Sequence, residues 1–435
     1  MADSPEVAHI VDLSLRIGEM LLSSGAGAAD VTATMHSVAF HMGLRNPIVD
    51  VTFTSMSMSY QSDEDVPLVM IRQVKERDID YEDLSRVDQL VRDILADRVD
   101  LAQARTVVAR LSSSGHNRNR WLVTAALGLM AAGVALMLGG NPQVCGIAFL
   151  AAASIDRLQK YMATVRLPMF YLQVAGGALA TSFAVAAAAA DINVDPSKVV
   201  TANIILLLSG IGFMGGLQDA LTGFYVTAGA RMTEAFLSTA GIIAGVSGGL
   251  TLGTVLGVSV GQFEPGASDL ATVAVTGLGA AICAAAFAFA SYSPKRVLLP
   301  IGMVAWFAIV IATYIEQAGF GRTWAVASAA FFIGLVAYGV SGRVRVPPLV
   351  IVVSTMVPLL PGLSIYRGLS LLSEGEQVGQ GLLAIMTAAS VAIALASGVI
   401  LGEYVAQPVR REARKMEKRL AGPRLVGPLR ARAKR

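Results

Sequence analysis

Asp219, Arg231, Glu234 and Arg367 sit in or beside long apolar stretches of this chain. Ionisable groups at membrane depth are costly and tend to be there for function. Arg231 and Glu234 are i,i+3, the spacing of a supporting ion pair on one helix face. Asp219 and Arg367 fall inside two segments rich in glycine and proline. The first reads Leu208-Ser209-Gly210-Ile211-Gly212-Phe213-Met214-Gly215-Gly216-Leu217-Gln218-Asp219. The second reads Val357-Pro358-Leu359-Leu360-Pro361-Gly362-Leu363-Ser364-Ile365-Tyr366-Arg367-Gly368. Glycine and proline there interrupt helical hydrogen bonding, and backbone freed inside a bilayer must be satisfied by protein, water or a ligand. Half-helix ends of this kind offer N–H groups to a carboxylate and C=O groups to an ammonium. Close packing through small residues explains the same segments without a ligand. Asp219 and Arg367 can equally be interfacial loop residues, and Asn203, a lone amide in an apolar span, reads as a helix–helix hydrogen bond.

The elements that carry these residues follow from composition. Of 435 residues, 54% are hydrophobic and 15% charged, and mean hydropathy is +0.61. A soluble chain of this size needs far more polar surface. The charge is also unevenly placed. Residues 1–120 hold 18 acids and 12 bases, residues 121–401 hold 10 and 11, and residues 402–435 hold 3 and 11. The overall net of +3 therefore averages three regions with different surroundings.

Ten apolar stretches are visible, at about 121–139, 144–155, 169–190, 199–217, 232–256, 270–290, 297–315, 324–340, 347–362 and 380–401. A full span needs about 20 apolar residues, so the second and ninth are expected to be broken or tilted. Basic loops (Arg157, Lys160 and Arg166; Lys295 and Arg296; Arg343 and Arg345) alternate with neutral or acidic ones. That alternation predicts both termini in the cytoplasm. A shift of 152 residues lays the first five stretches on the second five. Gly210, Gly216, Leu217, Gly223 and Gly229 then fall on Gly362, Gly368, Leu369, Gly375 and Gly381. Five segments is an odd number, so the second copy would enter the membrane from the opposite side, as in transporters and channels built from inverted repeats.

The front of the chain has a different pattern. Residues 6–43 read as two amphipathic helices broken at Ser23 to Gly27, with Asp30 to start the second and Gly43 to end it. Alternation from Ile48 to Tyr60 and from Val66 to Ile71 predicts strands around an Asp63-Glu64-Asp65 turn, and the pattern from Tyr81 to Leu111 is helical again. The stretch from Ile10 to Leu22 is interrupted by Asp12, Arg16 and Glu19 and lacks the core of a secretory signal. His36 and His41 are five apart rather than four, so His9, His36, His41 and His116 read as surface or packing residues. Cys145 and Cys283 read as small core residues. The tail from Arg410 to Arg435 reads as a polybasic segment facing anionic lipid, not nucleic acid.

At these residues the chain resembles the threonine/serine exporter family, in its fused single-chain form. Gly18-Glu19-Met20-Leu21-Leu22-Ser23-Ser24-Gly25-Ala26 is similar to the family's opening motif, and residues 210–231 are similar to its first membrane motif. Val346-Pro347-Pro348 with the run from Pro361 to Gly368 resembles its second; the first departs from it, with Ser209-Gly210 where the second has Pro361-Gly362. The resemblance runs over essentially the whole chain. It implies export of L-threonine and L-serine driven by the proton motive force across the cytoplasmic membrane. Two-chain members are associated with succinate export, so a dicarboxylate is the alternative cargo. A zwitterion needs both signs: Asp219 or Glu234 for the ammonium, Arg367 or a half-helix N-terminus for the carboxylate. The expected substrate site is Asp219, Arg367, Gly210, Gly362, Ser209, Gln218 and Tyr366, with Asp219 first and Glu234 second for proton coupling. No cofactor, metal or catalytic residue is expected; the partners are the amino acid, protons, anionic lipid at the tail and a second copy of the chain. A membrane-anchored hydrolase working through the first 120 residues, and a passive channel, are the competing classes.

The expected architecture is thus a multi-pass α-helical membrane protein. About ten transmembrane helices form a 5+5 inverted repeat behind an N-terminal soluble α+β domain. The expected bounds are 1–118 for that domain, 119–258 and 268–402 for the repeats, and 403–435 for a basic cytoplasmic tail.

Overall fold

The fold is organised by where its helices stop. The computed structural model describes residues 4–61, 67–74, 79–113, 118–190, 194–208, 210–255, 257, 270–374 and 378–420. Helices α1 (Ser4–Ser23) and α2 (Ala28–His41) part at the expected break. Gly25 lies at φ +95°, and the Ala26 N–H returns to the Leu21 carbonyl at 3.0 Å. This is a left-handed helix end that glycine adopts without penalty. Strands β1 (Ile48–Val51), β2 (Ser55–Tyr60) and β3 (Leu68–Gln73) form an antiparallel sheet in that order. Alternation turns Met56 and Met58 inward, with α1 packed over them. Arg72 of β3 pins α1 by reaching Asp12 at 3.1 Å and Glu19 at 2.6 Å. The helical pattern from Tyr81 to Leu111 is two helices, α3 (Tyr81–Ile94) and α4 (Leu101–Ser113), with Asp97 at φ +55° between them and paired to His41 at 2.9 Å. The expected turn at Asp63 to Asp65 and His116 lie outside the described residues.

The remainder is helical. It comprises α5 (Arg120–Met137), α6 (Pro142–Thr164), α7 (Met169–Ala189), α8 (Pro196–Leu207), α9 (Gly210–Leu221) and α10 (Tyr225–Val255). These are followed by α11 (Leu270–Ala290), α12 (Leu298–Gln317), α13 (Arg322–Val344), α14 (Pro348–Met356), α15 (Gly362–Glu374) and α16 (Val378–Leu420). Among the described residues seven helices are long and apolar enough to cross a membrane: α5, α7, α10, α11, α12, α13 and α16. Two bent pairs, α8 with α9 at 42° and α14 with α15 at 44°, bring the number to as many as nine. This is a multi-pass membrane protein. The second expected stretch, residues 144–155, lies in α6, a continuous helix that falls short for a clear reason. Its last third carries Asp156, Arg157 and Lys160. Asp156 pairs with Arg120 at 2.6 Å and accepts from the Thr124 hydroxyl at 2.6 Å, while Arg157 stacks 3.7 Å over Trp121. All the charge of α6 thus gathers at one end, beside the start of α5.

The helices before and after residue 260 correspond one to one. Pro196 opens α8 and Pro348 opens α14; Gly210 opens α9 and Gly362 opens α15. Proline suits a first helical turn because its missing N–H would have no partner there. The packed pairs correspond too: α7 with α10 as α13 with α16, α9 with α10 as α15 with α16, and α9 with α16 as α15 with α10. Glycine makes the closest of these contacts. A Cβ on Gly245 of α10 would stand 2.1 Å from the Val174 carbonyl oxygen and 2.9 Å from the Ala178 nitrogen of α7. Both are backbone atoms, so no rotamer change relieves the clash. Gly245→Ala is therefore expected to lower the melting temperature of the detergent-solubilised protein, by roughly 1–3 kcal/mol of stability. Gly248→Ala, whose Cβ would meet nothing within 4 Å, is expected to hold or raise it by up to about 1 kcal/mol through helix propensity.

Candidate functional site

The two glycine- and proline-rich segments meet. Helix α8 stops before α9 begins at Gly210, and α14 runs through a 3-10 turn at Val357–Leu359 before α15 begins at Gly362. At the crossing a Cβ on Gly362 would stand 3.1 Å from the Leu208 Cβ and Cδ1. Between the breaks lies a small cavity of about 120 Å³ with Ile211, Phe287, Val357 and Leu360 in its wall. Helices α9 and α15 both start here, so the unpaired N–H groups and positive dipole ends of two helices converge on one place. The glycines further along do not break the helices. A Cβ on Gly216 would lie 3.2 Å from the Ala228 carbonyl of α10, and one on Gly368 would lie 3.0 Å from the Gly381 carbonyl of α16. These repeated glycines let each short helix fold back tightly on the long helix that follows. Ser209 lies outside the described residues.

Asp219 stands at the far end of α9, about 14 Å from Gly210 at the rise of an α-helix. It is 1% exposed. Its Oδ2 lies 3.1 Å from Nε of Arg231, whose side chain is 13% exposed. Its Oδ1 accepts the Ala28 N–H at 3.0 Å, and Arg231 Nη2 donates to the Ala26 carbonyl at 3.2 Å. Helix α2 has no cap from its own N-cap residue, Gly27; Asp219, 191 residues away, caps it instead. Asp30, expected to start α2, lies in its first turn. Gly215 makes the arrangement possible, because a Cβ there would stand 2.6 Å from Nη1 of Arg231. The expected ion pair between Arg231 and Glu234 is not made: the α9–α10 turn carries Arg231 back over α9 to Asp219, while Glu234 points outward and is exposed.

A larger cavity of about 380 Å³ is walled by α2 and α3 on one side and by α9, α14 and α16 on the other. Met214, Pro347 and Val352 give it an apolar floor, and Gln218, Asp30, Asp88 and Glu403 line it. Asp30 opens into it. The residue stays partly exposed, but the protein crowding its carboxyl, and after it the nearby charge of Asp219, raise its pKa above the ordinary value. Asp88 is also raised by burial, against the pull of Arg92, which it meets at 2.6 Å.

Of the expected site residues, Asp219 and Gln218 belong to this region, and Gly210 and Gly362 form the crossing. Arg367 and Tyr366 stand apart. Arg367 is exposed and lines a separate cleft of about 210 Å³ with Ser364, Gln380 and Thr387, while Tyr366 is half-buried against the core. Asn203 donates to the Val199 carbonyl one turn back in its own helix, at 2.9 Å. The carboxylates of the cavity were not singled out from the sequence as site residues. Glu403 alone carried a signal, an acid just beyond the last apolar stretch.

A family model described as "Putative threonine/serine exporter" matches residues 12–253, and a second, "Threonine/Serine exporter, ThrE", matches residues 276–405. The chain belongs to the threonine/serine exporter family. A "Probable threonine/serine exporter" of Mycobacterium tuberculosis (strain ATCC 25618 / H37Rv) is 36% identical over 415 residues, covering 94% of this chain and 78% of the relative. A "Threonine/serine exporter" of Corynebacterium glutamicum is 31% identical over 421 residues, 95% and 86% of the two chains. No solved structure matches. The family is one of transporters, and the junction between its two matched portions falls between α10 and α11.

Two outcomes follow. Arg231→Met leaves the Asp219 carboxylate buried without its cation, which is expected to cost about 3–5 kcal/mol. Combining it with Asp219→Asn is expected to recover part of that loss in a melting assay. Asp30 holds its proton to higher pH in the folded chain than in the unfolded one, so its ionisation lowers stability as pH rises above about 4. Asp30→Asn is expected to melt higher than the parent at neutral pH, with the difference closing as pH falls below that value.

Proposed function

We propose that this protein exports small polar amino acids, L-threonine and L-serine, from the cytoplasm across the inner membrane in exchange for protons. The observation that carries this reading is an acid-lined cavity walled by α9 and α14, two of the helices that make the crossing of the broken spans. The cavity offers carboxylates for an ammonium, and the crossing offers two helix N-termini for a carboxylate. A zwitterion entering ammonium-first finds Asp30 and Glu403, and its carboxylate can then be passed to the first turns of α9 and α15. A dicarboxylate such as succinate is disfavoured by the same wall, because a dianion meets like charge at Asp30, Asp88 and Glu403. This reading moves the ammonium site from Asp219 and Glu234 to the cavity. It assigns the carboxylate to the crossing rather than to Arg367.

In this reading residues 1–118 are a soluble α+β domain in the cytoplasm, and residues 119–258 and 268–402 are two halves of an inverted repeat. Both termini are cytoplasmic. The one-to-one order of α5–α10 and α11–α16, with the matching packed pairs, supports the repeat. Two halves of opposite orientation can exchange conformations, so that the crossing faces one side and then the other. Asp219 acts as the proton-sensitive latch. Ionised, it holds Arg231 and caps α2; protonated, it gives up the charge that holds Arg231, and the front domain is freed to lift from the cavity.

Asp219→Asn tests the latch, because the amide oxygen keeps the cap on α2 while the charge toward Arg231 is gone. In cells loaded with L-threonine, the parent is expected to lose efflux when an uncoupler collapses the proton gradient, and the variant is expected to show slower efflux that no longer responds to the gradient. Efflux by the variant with the parent's full gradient dependence would show that Asp219 does not couple protons.

A further inference from the structure

A further concavity lies elsewhere, on an exposed face where the two halves join. It is a groove of about 840 Å³ between α5 of the first half and α11 and α12 of the second. Leu122 and Leu129 come from α5, Phe289 from α11, and Leu299, Met303 and Trp306 from α12. Every residue in its wall is apolar, and Leu122, Leu129, Leu299 and Met303 are exposed. From Leu298 to Phe307 along α12 the groove runs about 14 Å at the rise of an α-helix. That is close to half of a hydrocarbon core of about 30 Å, the depth of one leaflet.

The end of the groove is as informative as its wall. Leu122 is near the start of α5, Phe289 near the end of α11 and Leu298 at the start of α12. The same end carries Arg118, Arg120, Lys295 and Arg296. Arg118 stacks 4.4 Å over the Phe289 ring and donates to the Ser293 carbonyl at 2.8 Å. Arg120 is paired to Asp156, and Arg296 reaches the Arg345 carbonyl at 3.3 Å. Lys295 and Arg296 are exposed and, among the described residues, neither has a carboxylate within ion-pair distance.

We propose that this groove is a binding site for an anionic phospholipid, with one acyl chain along α5, α11 and α12 and the phosphate held at the Lys295–Arg296 end. An apolar slot one leaflet deep with uncompensated cations at its mouth matches the two parts of such a lipid. A second copy of the chain fits less well. Two copies inserted in the same direction and paired across this face would bring the same cationic ends together at the same depth, which is repulsive. The bound lipid contacts both halves at once, so it would bear on how they move against each other.

Trp306 lies in the groove wall, so it reports directly. The full-length chain carrying Trp121→Phe and Trp324→Phe keeps Trp306 as its single tryptophan. It is reconstituted in phosphatidylcholine vesicles containing a small, equal fraction of either phosphatidylglycerol or phosphatidylcholine with brominated chains. The brominated phosphatidylglycerol is expected to quench Trp306 roughly two- to threefold more than the brominated phosphatidylcholine, and the difference should shrink at high salt. Lys295→Gln with Arg296→Gln, both surface changes, is expected to erase the difference while leaving quenching by phosphatidylcholine unchanged. Equal quenching by the two lipids in the parent would overturn the proposal. So would a Trp306 shielded from both lipids in a protein that cross-links as a dimer through α12.

Discussion

A buried carboxylate and a guanidinium tie this molecule together. Asp219 lies at the end of the first broken span, Arg231 on the long helix behind it, and the turn from Ala26 to Ala28 belongs to the N-terminal part of the chain. A charge this deep is tolerable only with its partner and its hydrogen bonds in place. The pair therefore does three things. It neutralises itself, supplies the cap that α2 lacks, and sets the α1–α2 turn against the helical body. The cavity of Asp30, Asp88 and Glu403 exists because that docking leaves a gap between α2 and α16. Other contacts add to it, among them the hydrogen bond from the Tyr81 N–H to the Ser291 carbonyl at 2.9 Å.

The crossing obeys a different constraint. Inside a bilayer a helix cannot simply stop, since its last carbonyls and first N–H groups need partners. Two helices that stop at the same place share the difficulty. Packing Gly362 onto Leu208 closes most of the space between the breaks and leaves a small cavity.

Much of this was legible in the sequence, and the failures have specific causes. Breaks at Gly210 and Gly362 follow from helix-disrupting residues, which act locally and so can be read locally. The turn at Gly25 and the stop at Gly43 are of the same kind. Asp219 announced itself as a charge in an apolar setting. Its partner did not, because the i,i+3 spacing of Arg231 and Glu234 is a one-helix rule, and the deciding contact crosses between two helices past a missing side chain at Gly215. The glycines at 216 and 368 invited a reading as breaks, whereas they lie within unbroken helices and allow close approach. The cavity carboxylates were hardest to see. They come from α2, α3 and α16, with Glu403 more than three hundred residues from the other two, and only tertiary packing turns three ordinary surface acids into one wall. The count of spans was blurred at α6, where clustered charge at one end lowers the average of an otherwise apolar helix.

Helix α16 runs without interruption from Val378 to Leu420, about 65 Å at the usual rise and roughly twice the thickness of a hydrocarbon core. It packs against α13 and α9 at one end and carries Glu403 at the cavity along the way. It is not uniform along that length: Pro408, five residues beyond Glu403, has no N–H to give the Tyr404 carbonyl, so the helix has a built-in point of bending just past the cavity. The residues after Pro408 can therefore change direction without disturbing the packed part of the helix before it. A motion of the basic segment beyond the bend is thus uncoupled, at least in part, from the wall that Glu403 helps to build.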